Sequence, residues 1–156
     1  MRRSDLVFAY GSNMDPAQMR ERCPESDLAW FVAEARGWQL WFPRYAKKQR
    51  RCAVGSIVRN ERESVWGVVF AVTRRDLERL DRFEGKGYTR SLIDVVDQQG
   101  RQLKVWTYFA KPDEPPTKEL PSREYIDLYV RGAEYFGLPE KYLEFLRSIP
   151  TAPEKE

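Results

Sequence analysis

A carboxylate stands where the helical pattern calls for an apolar side chain. In the segment opening near Arg74, the residues Leu77, Leu80 and Glu84 fall at i, i+3 and i+7, the interval of one buried helix face, while Arg75, Glu78, Arg79 and Arg82 occupy the other faces. Burial disfavours the charged form of Glu84, and so does the negative end of the helix dipole, so both act to raise its pKa. A carboxyl group tuned toward neutrality can take a proton and give it back, serving as general base and then general acid. The spacing also leaves a second reading open, in which Gly85 turns the chain outward and Glu84 is solvated or paired with a nearby arginine.

A second group of residues, Tyr10-Gly11-Ser12-Asn13-Met14, has the composition of a ligand-holding loop. Gly11 lets the backbone approach a ligand closely, Ser12 and Asn13 bring donors and acceptors, and the amides of a following helix N-terminus suit an anion such as a substrate carboxylate. Tyr-Gly-Ser-Asn is equally an ordinary turn sequence. The chain contains no histidine. That removes the commonest general base and the commonest transition-metal ligand, and with them every Ser-His, Cys-His or His-metal mechanism. A nucleophilic Ser12 would need an unusual base, so its expected role is binding. Cys23 and Cys52 form neither a CxxC pair nor a repeating framework, so free structural thiols are expected and no metal site is.

The elements that must carry these groups follow from periodicity and turn chemistry. The apolar run Leu6–Tyr10, stopped at Gly11, reads as a buried strand. Asp15 can cap a helix from Pro16 to about Arg22, with the proline at its first position. Residues Ala29 to Phe42, interrupted by Gly37, read as one long bent strand or two. Ala53–Val58 and Val65–Val72 flank the polar turn Arg59 to Ser64 and read as an antiparallel hairpin, with Gly55 and Gly67 allowing close backbone approach. Thr73 and Asp76 resemble a capping box for the helix that reaches Phe83 or Glu84, which Gly85 can end in the left-handed conformation. Strands Tyr88–Val96 and Leu103–Phe109 are joined by a turn at Asp97 to Gly100. The proline-rich stretch Lys111 to Pro121 is expected as an exposed loop, Ser122 caps a helix ending at Gly137, and Pro139 opens a last helix to about Ser148. Together these predict a mostly antiparallel sheet with helices, an α+β protein.

At 156 residues, with 42% hydrophobic and 13% aromatic content, the chain can build one core, so residues 1–150 are expected as a single domain and 151–156 as a flexible tail. No stretch approaches the roughly 18 apolar residues of a membrane span. Met1-Arg2-Arg3-Ser4-Asp5 leads straight into a short apolar segment with no signal-peptide pattern, so the expectation is a cytoplasmic protein with no membrane partner. The net charge of +3 is locally concentrated, because Arg44, Lys47, Lys48, Arg50 and Arg51 crowd one segment near Trp38, Trp41 and Tyr45. Such a cluster could bind phosphates or nucleic acid, but the balanced charge elsewhere favours a solvated, mobile loop.

Three separated motifs carry a family resemblance. Phe8-Ala9-Tyr10-Gly11-Ser12-Asn13-Met14 resembles the substrate loop of the γ-glutamylcyclotransferase (AIG2-like) family, Val65-Trp66-Gly67-Val68-Val69-Phe70 its central strand, and Leu80-Asp81-Arg82-Phe83-Glu84-Gly85 the segment of its catalytic glutamate. Pro121-Ser122-Arg123-Glu124-Tyr125, Gly132-Ala133 and Gly137-Leu138-Pro139 resemble its C-terminal helical region. The resemblance implies a compact mixed fold with a small β-barrel and flanking helices. It implies Glu84 as the catalytic residue, facing substrate-binding Tyr10, Gly11, Ser12, Asn13 and Met14, with Tyr88 and Tyr125 in the aromatic lining. It further implies a small γ-glutamyl substrate cyclised to 5-oxoproline with release of an amino acid or amine, no cofactor, no metal, and a monomer or homodimer. Gly87-Tyr88 follows Glu84 after a shorter interval than in some animal-type members, which alters one cavity wall, and the segment Arg44 to Arg51 has no family role. The alternatives are a non-catalytic small-molecule-binding domain of the same fold and a basic nucleic-acid-binding module.

Overall fold

The computed structural model describes residues 4–154, and its strands grow from the apolar runs of the sequence. In chain order the elements are β1 (Asp5–Ala9), α1 (Pro16–Arg22), β2 (Trp30–Ala46), β3 (Cys52–Val72), α2 (Arg74–Glu84), β4 (Tyr88–Asp97), β5 (Gln102–Ala110), α3 (Arg123–Phe136) and α4 (Glu140–Arg147). The strands close into a barrel in the order β1-β3-β2-β4-β5. Four of the contacts are antiparallel, and β1 meets β5 in parallel at Val7 opposite Trp106. The protein is thus α+β, a mixed and mostly antiparallel small barrel with flanking helices.

The expected hairpin between residues 53 and 72 does not form. Both halves belong to β3, and both pair with β2, Leu40 lying opposite Ile57 and Val32 opposite Val68. A partner strand of 17 residues is long enough to run beside both. The polar stretch Arg59 to Ser64 is exposed or half-buried strand whose register shifts opposite Gly37, so its polarity reports solvent contact rather than a chain reversal. The longer of the two readings of residues 29–42 holds, since β2 is one bent strand with Gly37 at φ +83°.

Helix α1 begins as its sequence dictates, with the Asp15 carboxylate accepting from the Gln18 amide at 3.1 Å and Pro16 in the first turn. In α2 the Thr73 hydroxyl accepts from the Asp76 amide at 3.1 Å, but the Asp76 carboxylate does not complete a capping box. It is fully enclosed and accepts instead from the Glu25 amide, the Ser26 hydroxyl and Arg79, tying α2 to the segment before β2. Leu77 and Leu80 are sealed in the core, where truncation of either costs about 2–5 kcal/mol. Gly85 ends α2 with φ +77° and ψ −164°, a glycine conformation other than the expected left-handed helical one. The extended ψ carries the chain into a single 3-10 turn, Gly85–Gly87, and on into β4.

Helix α3 is capped by Ser122, whose hydroxyl accepts from the Tyr125 amide at 3.1 Å, and ends at Gly137 in the left-handed conformation. Its buried residues Tyr125, Tyr129, Ala133 and Phe136 form one face against the barrel. The loop after β5 is mostly exposed, yet it is pinned to β2 by bonds from the Asp113 and Thr117 amides to the Pro43 carbonyl. The expected tail stays docked at its start, because the Ala152 amide donates to the Pro121 carbonyl at 2.8 Å; Lys155 and Glu156 lie outside the described residues, as do Met1, Arg2 and Arg3. Both cysteines are free and buried. Among the described residues no helix is long and apolar enough to cross a membrane.

Candidate active site

The barrel end nearest Gly11 opens into a cavity of about 90 Å³. The loop after β1 forms one side as a 3-10 turn, Ser12–Met14, closed by the Met14 amide donating to the Gly11 carbonyl at 3.0 Å. Glu84 enters from the C-terminal end of α2, and Tyr88 follows it at the start of β4. Tyr125 and Tyr129 project from α3, their hydroxyls 2.8 Å apart, and the Gly55 amide donates to the Tyr125 hydroxyl at 3.0 Å. Two glycines make room for this pair. A Cβ on Gly55 would lie 2.2 Å from the Tyr129 hydroxyl and one on Gly11 3.1 Å from it, so both backbones close against the phenol only because they lack side chains.

Glu84 makes no ion pair among the described residues and faces the cavity rather than open solvent, which disposes of the frayed or paired alternative. Burial pushes its carboxyl pKa up to about 7, against the Arg22 and Arg50 cations and a hydrogen bond from Asn13. That bond, from Asn13 Nδ2 to Glu84 Oε1, spans 3.3 Å. The opposite end of the Asn13 amide accepts at 3.0 Å from both Gln18 Nε2 and Arg22 Nη1, which decides that the NH2 group is turned toward the carboxylate. Gln18 also donates to the Ser12 hydroxyl at 3.0 Å and accepts from Arg50 Nη2 at 2.8 Å. One continuous polar chain therefore runs Arg50, Gln18, Asn13, Glu84.

Of the residues expected at the site, Tyr10, Gly11, Ser12, Asn13, Glu84, Tyr88 and Tyr125 line this cavity together. Met14 does not. It is fully enclosed against α3, where a Cβ on Gly132 would lie 2.4 Å from its backbone, so it anchors the loop from behind. The Tyr10 hydroxyl donates to the Tyr108 carbonyl across the barrel, and burial raises its pKa well above the phenol range. Burial likewise lifts Tyr125 to about 12, so these phenols are neutral donors and acceptors at ordinary pH.

The sequence reading missed Gln18, Arg22, Arg44 and Arg50. For the first two a signal existed, because they stand four apart on one face of the helix that follows the loop. For Arg44 and Arg50 the expectation of a solvated, mobile loop is overturned, since both are half-buried and both line the cavity, while Lys47 and Lys48 are exposed. Among the described residues no group of three or more Cys, Asp or Glu could hold a metal ion.

Known proteins resemble this chain in sequence and fold. The pattern of the family described as gamma-glutamyl cyclotransferase, AIG2-like, matches residues 7–127. The gamma-glutamylcyclotransferase of Homo sapiens is 30% identical over 153 residues, 94% of this chain and 79% of the relative. That of Bos taurus is 30% identical over 152 residues, with the same shares. A solved gamma-glutamyl cyclotransferase superposes with a TM-score of 0.90 at 26% identity, covering 98% of this chain and 92% of that one. A yeast gamma-glutamyl cyclotransferase specific to glutathione, 15% identical with a TM-score of 0.71 over 93% of this chain and 94% of its own, shares the fold. The chain belongs to the gamma-glutamyl cyclotransferase, AIG2-like family, and it is an enzyme of that type.

Proposed function

We propose that this enzyme closes the γ-glutamyl end of a small substrate into 5-oxoproline, with Glu84 as the residue that moves the proton. The single observation that carries the reading is the Glu84 carboxyl, set in a cavity wall opposite the Tyr10 to Asn13 loop with its pKa raised to about 7. The substrate's own α-amine attacks its γ-carbonyl, so nucleophile and electrophile share one molecule. What the protein must do is hold the folded conformer, an orientation effect worth several kcal/mol. Glu84 takes a proton from the α-amino group during attack and hands it to the departing amide nitrogen as the tetrahedral intermediate collapses. The new bond is N–C within the lactam, the broken bond is C–N to the leaving group, and the step needs no water and no cofactor.

Asn13 orients the carboxylate through the 3.3 Å bond to Oε1, and the backbone of Gly11 and Ser12 is available for the α-carboxylate or the developing oxyanion. Tyr10, Tyr88 and Tyr125 shape the wall around the glutamyl chain, and Met14 supports the loop. Ser12 binds rather than attacks, since its hydroxyl accepts from Gln18 and no base stands ready for it. A purely binding domain has no use for a carboxyl group tuned to physiological pH, which favours catalysis over that alternative. Nucleic acid is not a partner in this reading, because Arg44 and Arg50 turn into the cavity instead of forming a flat basic surface. One chain supplies every residue named, so either a monomer or a homodimer can act. Free, buried thiols suit a reducing cytoplasm.

The test is 5-oxoproline release from a panel of γ-glutamyl amino acids, γ-glutamyl amines and glutathione, by native protein and by Glu84→Gln with its fold checked by circular dichroism. Turnover by native protein that falls by about 10²–10⁴ in the variant is expected. Undiminished turnover in Glu84→Gln would remove Glu84 from the proton transfer.

A further inference from the structure

Three guanidinium groups, those of Arg22, Arg44 and Arg50, line the cavity beside the Glu84 carboxyl, and none is held by a salt bridge among the described residues. Their protein partners are neutral: Arg22 donates to Asn13 Oδ1 at 3.0 Å, Arg44 to the Lys111 carbonyl at 3.3 Å, and Arg50 to Gln18 Oε1 at 2.8 Å. Elsewhere Arg36, Arg74, Arg75, Arg79, Arg90, Arg101, Arg131 and Arg147 find a carboxylate, and arginines without one, such as Arg62 and Arg82, are exposed to solvent, unlike the half-buried Arg44 and Arg50. Burial depresses the Arg22 pKa, Glu84 opposes this, and the neighbouring Arg50 cation adds to it, so like charges are held together here at a cost.

The two ends of the cavity differ. Its floor is sealed, with Phe8, Thr107 and Tyr129 at 1%, 0% and 0% exposure, whereas Phe83 at 43% and the exposed Gln49 stand at the mouth with half-buried Arg44 and Arg50. Arg44 packs against the segment after Glu84: a Cβ on Gly87, three residues past Glu84, would lie 2.5 Å from its Nε, so the guanidinium fills the space that this glycine leaves. Arg50 lies over the Tyr125 ring, its Cζ 5.4 Å from the ring centre.

We propose that Arg44 and Arg50 form a subsite for a carboxylate on the leaving group, an inference that rests on the cyclotransferase reading above. The γ-glutamyl end, common to all candidate substrates, occupies the deep half against the Tyr10 to Asn13 loop, and the part that departs lies toward the mouth. A γ-glutamyl amino acid carries two carboxylates and one ammonium, net −1, and loses one further positive charge when its amine becomes the nucleophile. A γ-glutamyl amine carries one of each and is neutral. A wall of unpaired arginines matches the first charge pattern, and guanidinium is the side chain suited to planar, two-pronged capture of a carboxylate.

A matched substrate pair separates the possibilities: γ-glutamyl-alanine and γ-glutamyl-ethylamine, which differ at the leaving group by the carboxylate alone. Native protein is expected to prefer γ-glutamyl-alanine in kcat/KM by roughly tenfold or more, the scale of a charged hydrogen bond. In Arg50→Gln and in Arg44→Gln that ratio collapses toward one, with the loss falling on the KM for γ-glutamyl-alanine, and Arg50→Lys restores part of it. Equal losses on both substrates would overturn the subsite, assigning the cations to the glutamyl α-carboxylate while leaving the cyclotransferase reading intact. Native protein that does not discriminate between the pair would overturn it too. Release of 5-oxoproline from neither substrate, nor from any other γ-glutamyl compound, would instead remove the underlying reading and the subsite with it.

Discussion

Glu84 links acid-base chemistry to stability through one pKa. As a base it acts in its ionised form, whose fraction falls below about pH 7. The expected kcat/KM profile therefore drops about tenfold per unit on the acid side of a break near 7, and a flat profile from pH 5 to 8 would count against its role. The stability effect has the opposite sense. Glu84 titrates near 4.5 when unfolded and near 7 when folded, so between these values the folded state holds the extra proton and stability falls as pH rises. Glutamine cannot titrate. Glu84→Gln should therefore gain on native protein from about pH 4.5 upward, with the full gap above about 7. Urea midpoints at pH 4.5 and pH 8 measure it, and parallel shifts at both would contradict the assigned pKa.

At the scale of elements, the site depends on how closely α3 approaches the substrate loop. Gly132 lies flush against Met14, with a notional Cβ only 2.4 Å from its backbone, so there is no slack for a methyl group. Gly132→Ala should push the loop and α3 apart, lowering stability by about 1–3 kcal/mol in denaturant unfolding and raising KM for any γ-glutamyl substrate. An unchanged KM would mean that the loop holds its place without α3. The cap of α2 acts more gently on Glu84, since Thr73→Ala removes the bond to the Asp76 amide and should cost about 1 kcal/mol. Calorimetry would register it as a small loss of Tm.

At the scale of the whole molecule, Asp76 is the fully buried polar tie that joins α2 to the segment leading into β2. Its carboxylate, with 0% exposure, receives the Glu25 amide, the Ser26 hydroxyl and Arg79, while the Ser26 hydroxyl accepts from the Thr73 amide at 3.0 Å. Asp76→Ala leaves those donors without an acceptor in the interior. The expected penalty is roughly 3–5 kcal/mol, seen as a fall in Tm on the order of 10 °C. A loss below about 0.5 kcal/mol, the scale of an ordinary surface substitution, would show that water replaces the carboxylate. The same carboxylate, after burial itself, helps push the Cys23 thiol up to about 12, so Cys23 should resist alkylation at neutral pH until the protein unfolds.

The sequence by itself determined what short-range physics determines. Caps at Asp15, Thr73 and Ser122, the apolar face of Leu77 and Leu80, the glycine after β1 and the place of Glu84 on that helical face all follow from neighbours within a few residues, while the choice between an inward and a solvated Glu84 was left to the structure. The absence of histidine then removed every Ser-His, Cys-His and His-metal mechanism. Tertiary structure alone decided which strands pair, because a polar stretch such as Arg59 to Ser64 looks the same in a turn and in exposed strand until a 17-residue partner is laid beside it. It also moved Met14 from the cavity wall to the core, and brought Arg44 and Arg50 from an expected solvated loop to the mouth of the site. Side chains that meet across a barrel, such as Arg50 and Gln18 at 32 residues' separation, are adjacent only once the barrel has closed. Local periodicity carries no record of that closure.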